Sequence, residues 1–297
     1  MISKPLMKQS IKANWILWLA TTIIVCLIVS ILKIVLTTAH MDAFGINMDA
    51  LSPFIVALLK QGLTIEELIK TMGLDENLLQ NMQNVNITFM MNNMFYNLAG
   101  VLVPMIYVVI VANNLVSSQV DRGSMAFVLS TPTKRSTVVI TQAVYLVVSL
   151  AGMFILTFIT DIVTQVAVSA VHIDYLQTFI LNLGLFILMF ALSGICFFFA
   201  CYFNLAKYSL AAGGGLMVLF YINKCIGLFG DKTYAEAGYG LRELHYFDYL
   251  SLITLLNTQA IFNNDLSYLW MFAILIAIGL ITYIAGIEVF KRKDLPL

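Results

Sequence analysis

Six apolar stretches, each close to the roughly 20 residues that an α-helix needs to cross a bilayer, constrain this chain more than any other feature. They run Trp15–Leu36, Leu98–Val116, Val138–Ile159, Phe179–Phe203, Ser209–Phe229 and Tyr268–Phe290. None alternates apolar and polar residues with period two, so a transmembrane β-barrel is disfavoured. A helix satisfies its own backbone hydrogen bonds, as the bilayer interior requires. Composition agrees: 11% of the 297 residues are charged, against about 25% in soluble domains. The expected fold is an all-α polytopic membrane protein with six transmembrane helices over residues 15–297.

Lys4, Lys8 and Lys12 precede the first run as in a signal peptide. That run exceeds the roughly 7–15 residues of a signal h-region, and Thr37-Thr38-Ala39 is a poor cleavage site. An uncleaved first helix is expected. Residues 1–14 place these lysines at spacing four with Ile2, Leu6 and Ile11 between them. The pattern predicts an amphipathic helix lying on the cytoplasmic membrane surface; a disordered basic tail is the alternative.

Charge sets the orientation. With six spans, Lys4, Lys8, Lys12, Arg122, Lys134, Arg135, Lys207, Lys291, Arg292 and Lys293 fall on one side, ten of the sixteen basic residues. The first loop on the other side carries Asp42, Asp49, Glu66, Glu67, Asp75 and Glu76 against Lys60 and Lys70. The positive-inside rule therefore predicts cytoplasmic termini. The net charge is zero, so bulk electrostatics suggest no nucleic-acid partner.

Two soluble regions are expected outside. Residues 37–97 form a large first loop in which Thr64-Ile65-Glu66-Glu67 reads as a capping box and Gly73 as a helix stop. Met82, Met90, Met91 and Met94 follow, either to grip varied apolar partners or to pack the loop on the bundle. Residues 230–265 carry Asp231, Lys232, Glu236, Arg242, Glu243 and Asp248, then turn apolar, with a short re-entrant or surface helix expected near 248–262. Tyr239, Tyr246, Phe247 and Tyr249 suit an interfacial aromatic belt. Gly213-Gly214-Gly215 in the fifth span predicts close helix approach or a local break.

Chemistry of the enzymatic kind is missing from the pattern. There is no G-x-x-x-x-G-K-[ST] and no G-x-S-x-G, and His40, His172 and His245 lack metal-ligand spacing. No metal site is expected. Cys26, Cys196, Cys201 and Cys225 form no C-x-x-C pair and read as small packing residues. Ionisable residues in the spans are few. Lys33 and Lys224 are expected to snorkel, Glu288 to pair with Lys291 and Arg292, and Asp161 to follow the third span at its outer boundary. Nothing forms a central proton path, which disfavours ion-driven transport. An intramembrane enzyme needs paired polar groups that the spans do not supply.

One polar segment between the second and third runs stands out: Ser117 to Arg135, SSQVDRGSMAFVLSTPTKR. Asp121 or Ser124 can cap a short helix and Gly123 permits a turn. Met125, Phe127, Val128 and Leu129 are apolar and exposed unless covered. Pro132 ends the helix, and Lys134 and Arg135 hold the next span at the surface. An apolar knob of this kind suits a cleft on a partner; folding back on the bilayer or the bundle is the alternative.

These features together resemble the ABC-2 type permeases of bacterial ABC transporters. The likeness rests on Asp121-Arg122-Gly123-Ser124, the apolar Met125–Leu129, Ser130-Thr131-Pro132-Thr133-Lys134-Arg135 and the ending Phe290-Lys291-Arg292-Lys293-Asp294-Leu295. Many members carry a glutamate where this chain has Gln119. The resemblance implies that Asp121, Gly123, Ser124, Met125, Phe127, Val128, Leu129 and Pro132 form a coupling helix for a separate ATPase dimer. It implies a second permease subunit, alike or different, and location in the bacterial cytoplasmic membrane. The chain itself is then no enzyme and holds no cofactor; ATP and magnesium sit on the ATPase. The implied activity is export of an amphipathic or hydrophobic substrate such as a peptide, toxin, drug or lipid. A membrane sensor or immunity protein that binds a ligand through residues 37–97 without transport is the alternative.

Overall fold

The structure is a computed structural model; it describes residues 2–35, 95–125, 134–167, 175–228, 242–262 and 265–293. The described residues hold helices and no strands. We number them α1 (Lys4–Val35), α2 (Gly100–Leu115, entered through a π-helical turn at Phe95–Ala99), α3 (Ser117–Asp121), α4 (Arg135–Ala167), α5 (Tyr175–Tyr202), α6 (Ala206–Leu228), α7 (Thr258–Phe262) and α8 (Ser267–Arg292). Six are long and apolar enough to cross a membrane: α1, α2 with its flanking turns, α4, α5, α6 and α8.

Helix directions alternate along the chain. Tyr107 on α2 bonds Ser149 on α4 while Tyr96 bonds Asp161, so α2 and α4 run antiparallel. Between α5 and α8, Gly184 faces Phe272, Ala191 faces Gly279, Gly194 faces Thr282 and Gly286 faces Phe198. The residue numbers advance together, so these two helices are parallel, as a fourth and a sixth span must be. Small residues let the two backbones approach where lipid gives no hydrophobic drive to associate. Tyr283 joins the seam, exchanging a 2.7 Å hydrogen bond with Ser193 and stacking on Phe190.

α1 lies parallel to α4 through Ser10–Gln142, Trp18–Ser149 and Ser30–Thr164 contacts. No separate surface helix ends at residue 14, because Lys4–Val35 is one unbroken helix of 32 residues. Nothing in Lys12-Ala13-Asn14-Trp15 breaks a helix. At about 1.5 Å per residue such a helix spans roughly 48 Å, more than the ~30 Å hydrocarbon core, so its first turns project from the apolar layer. Those turns are still two-sided: Leu6, Ser10 and Asn14 are buried, and Lys4, Lys8 and Lys12 are exposed.

Three further expectations change. α4 continues past Ile159 to Ala167, which carries Asp161 inside the helix, 1% exposed. The 242–262 segment is three short pieces, 3-10 turns at Arg242–Leu250 and Leu252–Leu255 and then α7. Ser251 Oγ accepts from Ile253 N, and Asn257 Oδ1 accepts from Ala260 N, so side-chain caps divide the segment. Lys224 is buried rather than snorkelling, its Nζ 3.4 Å from Asp248 in that segment. Glu288 pairs with Lys291 and Arg292 as expected. α6 passes through Gly213-Gly214-Gly215 without a break; a Cβ on Gly214 would lie 3.3 Å from Val109, and Gly215 is open. The predicted helices within 37–94 lie outside the described residues.

Candidate coupling site

The polar segment after α2 begins with a change of backbone direction. Val116 leaves helical geometry at φ −127°, ψ −72°, and α3 follows for five residues. Ser117, Ser118 and Val120 are buried, so α3 lies against the bundle, where it packs on α6. Gly123 has φ +71°, the left-handed region that a Cβ disfavours, and it turns the chain. Ser124 Oγ donates to Gln119 O at 3.1 Å and closes this turn.

Asp121 is the last residue of α3. Its Oδ2 accepts the backbone N–H of Ala206, the first residue of α6, at 3.2 Å. The first N–H groups of a helix lack internal partners, and a carboxylate there also meets the positive end of the helix dipole. The short α5–α6 hairpin brings that free end within reach of α3.

Arg122, Gly123 and Ser124 are exposed alongside Asp121. Met125 is not; it is buried at 2% and joins the core, so it anchors the segment inward. Phe127, Val128, Leu129 and Pro132 lie outside the described residues. Lys134 is exposed, and its carbonyl accepts from Thr137 N and Val138 N at the start of α4. Arg135 Nη1 donates to Lys293 O at 3.0 Å, and Lys293 Nζ donates to Cys201 O at 2.9 Å. The start of α4, the end of α5 and the end of α8 are thereby tied together. Burial pushes the Lys293 ammonium down to about 8.

Both ends of the chain meet here. Ser3 N donates to Thr141 Oγ1, and Arg135 holds Lys293. All ten basic residues grouped by sequence therefore sit at one end of the bundle.

A second polar constellation lies at the opposite end of α4. Asp161 Oδ2 accepts from Tyr96 Oη at 2.9 Å and from Asn182 Nδ2 at 3.4 Å, and its Oδ1 accepts from Gln165 Nε2 at 2.8 Å. Gln165 also donates to Thr178 Oγ1, and Asn97 Nδ2 to Thr258 Oγ1. Sequence reasoning missed this cluster, although the four-residue spacings Asp161–Gln165 and Thr178–Asn182 each put two polar groups on one face of a helix. No group of three or more His, Cys, Asp or Glu side chains able to hold a metal occurs among the described residues.

An all-helical bundle with six spans is a multi-pass membrane protein. Residues 2–295 match the family described as ABC-2 family transporter protein, and the chain belongs to that family. It is thus the membrane transport component, or permease, of an ABC transporter, in a family whose members normally work with an ABC ATPase. No curated protein and no solved structure matches the chain.

Proposed function

We propose that this permease belongs to an ATP-driven exporter of amphipathic or hydrophobic substrates and is driven by a separate ATPase dimer through residues 117–135. Membership of the ABC-2 family supports the general role. The observation that carries the coupling assignment is the bond from Asp121 to the first N–H of α6. A segment attached in this way transmits its displacement to a membrane-crossing helix instead of moving alone.

The proposed cycle starts on the ATPase, where ATP and magnesium bind. Closure of the ATPase dimer pushes the apolar residues Phe127, Val128 and Leu129. Asp121 carries the displacement to α6, and the Arg135–Lys293–Cys201 chain carries it to α4, α5 and α8. Nucleotide does work on the bundle only as far as it binds the two conformations unequally. A second permease subunit completes the translocation path. The basic end faces the cytoplasm of a bacterial cell, by the positive-inside rule.

Affinity purification from native cells in mild detergent tests this reading. The expected result is a stoichiometric soluble partner carrying a phosphate-binding loop, lost in Phe127→Asp while membrane insertion of the permease is retained. Absence of that partner, under conditions that preserve a known transporter complex, would replace this reading with a ligand sensor or immunity protein.

A further inference from the structure

The first turns of α1 carry positive charge that the bundle leaves uncompensated. Lys4, Lys8 and Lys12 are exposed at four-residue spacing, so their like charges repel along one helix face. They stand at the N-terminal end of α1, where the helix dipole already favours anions, and the first turn holds no acidic residue. No carboxylate among the described residues pairs with any of the three. Lys291 and Arg292, at the same end of the bundle, share Glu288. The lysine face is also held in place. Leu6, Ser10 and Asn14 on the other side of the helix are buried. Ser10 Oγ donates to Gln142 Oε1 at 2.7 Å, and Ser3 N donates to Thr141 Oγ1 at 3.0 Å.

The residues that continue this face meet lipid. Lys8, Lys12 and Trp15 fall at i, i+4 and i+7 of one helix, and Leu19 and Ile23 extend the row. Trp15 is 52% exposed, Leu19 43% and Ile23 49%, so this side of α1 is turned from the bundle. The apolar run starts at Trp15. At about 1.5 Å per residue, Lys12 lies ~4.5 Å and Lys8 ~10.5 Å beyond Trp15, and the headgroup layer is roughly 5–8 Å deep. Lys12 therefore sits at headgroup depth, and Lys8 reaches it by bending its flexible stem. The two tryptophans of α1 differ. Trp18 Nε1 donates to Ser149 O at 2.8 Å, whereas the indole N–H of the exposed Trp15 has no acceptor among the described residues.

Ammonium groups and an indole N–H at one depth, with exposed apolar side chains beneath them, narrow the occupant. The charge calls for an anion, and the apolar continuation calls for acyl chains. A soluble acidic partner satisfies the lysines and leaves Leu19 and Ile23 without contact. We propose that Lys8, Lys12 and Trp15 bind an anionic phospholipid whose headgroup carries no amine, such as phosphatidylglycerol. The phosphate accepts from Lys8 Nζ, Lys12 Nζ and the Trp15 indole, and an acyl chain runs along Leu19 and Ile23. Phosphatidylethanolamine and phosphatidylcholine bring a cation of their own, which the lysine face repels. Lys4 lies farther out and adds screened attraction. The inference goes beyond the permease reading and does not depend on the ATPase.

Native mass spectrometry of the full chain, released from detergent holding equimolar phosphatidylglycerol, phosphatidylethanolamine and phosphatidylcholine, tests the site. The wild type is expected to retain phosphatidylglycerol about tenfold or more over the other two, since each surface lysine favours an anionic lipid by a factor of about five. Lys8→Gln with Lys12→Gln is expected to remove that preference, and Lys8→Arg with Lys12→Arg to keep it. Arg122→Gln with Lys207→Gln takes the same charge from exposed positions at the same end and is expected to leave the preference intact. Equal retention of the three lipids by the wild type would overturn the proposal. So would an unchanged preference in the Lys8 and Lys12 glutamine variant, or an equal loss in the Arg122 and Lys207 variant, which would reduce the effect to bulk charge. Displacement of the lipid by millimolar inorganic phosphate would also overturn it, since the site would then recognise a free anion. Copurification of the ATPase from native cells separates the two readings. The glutamine variant is expected to keep its ATPase; loss of the ATPase with the lipid preference retained would put a protein on this face and overturn the lipid site. A missing ATPase in the wild type rejects the permease coupling alone.

Discussion

Lys293 carries two bonds at once, accepting from Arg135 through its backbone and donating to Cys201 O through its side chain. Half-burial disfavours its charge and sets its folded value near 8, below the ordinary 10.5. The unfolded chain therefore holds more protons between those values, and stability rises with pH across that window. The melting temperature of the wild type, measured relative to Lys293→Met, is expected to increase from pH 7 to pH 9.5; a flat difference would remove the desolvation argument. Single residues were also the least legible part of the sequence. Asp161 reads as a span boundary because a carboxylate is costly in a bilayer. It sits inside α4 because Tyr96 and Asn182, 65 and 21 residues away, supply donors. Lys224 departs from snorkelling for the same reason, its partner Asp248 lying on another segment.

The helical elements were far more legible. Apolar runs placed all six spans, and the observed ends of α6 and α8 fall within three residues of those read from sequence. The long extensions of α1 and α4 were not legible, since hydropathy marks the lipid layer and not the end of helical backbone. Packing partners were also hidden, because a glycine in an apolar run does not announce what it faces. The α5–α8 seam makes a prediction at this scale. A Cβ on Gly194 would collide with Thr282 Oγ1 and lie 3.0 Å from the Gly279 carbonyl. Gly194→Val is expected to destabilise the bundle by about 1–3 kcal/mol, the usual cost of overpacking, read as a lower midpoint of thermal unfolding in detergent. An unchanged midpoint would mean that the two helices separate without cost.

Charge and packing agree at the scale of the whole molecule, since the helix directions bring both termini and the basic residues to one end. Arg122 and Lys207 mark that end, and Tyr246 is exposed on the 242–262 segment. In a background lacking the four native cysteines, Tyr246→Cys is expected to react with an impermeant thiol reagent applied outside intact cells. Arg122→Cys and Lys207→Cys are expected to stay unlabelled until the membrane is opened. The reverse pattern would invert the orientation and move residues 117–135 out of reach of a cytoplasmic ATPase. The most direct test of the coupling claim is photocrosslinking in native cells from a benzoylphenylalanine placed at Phe127, with the same group at Tyr246 as the control. One dominant adduct is expected at position 127, to a protein carrying a phosphate-binding loop, and none of it at position 246. Adducts at position 127 to lipid alone, or to the permease itself, would rule out coupling to an ATPase through residues 117–135.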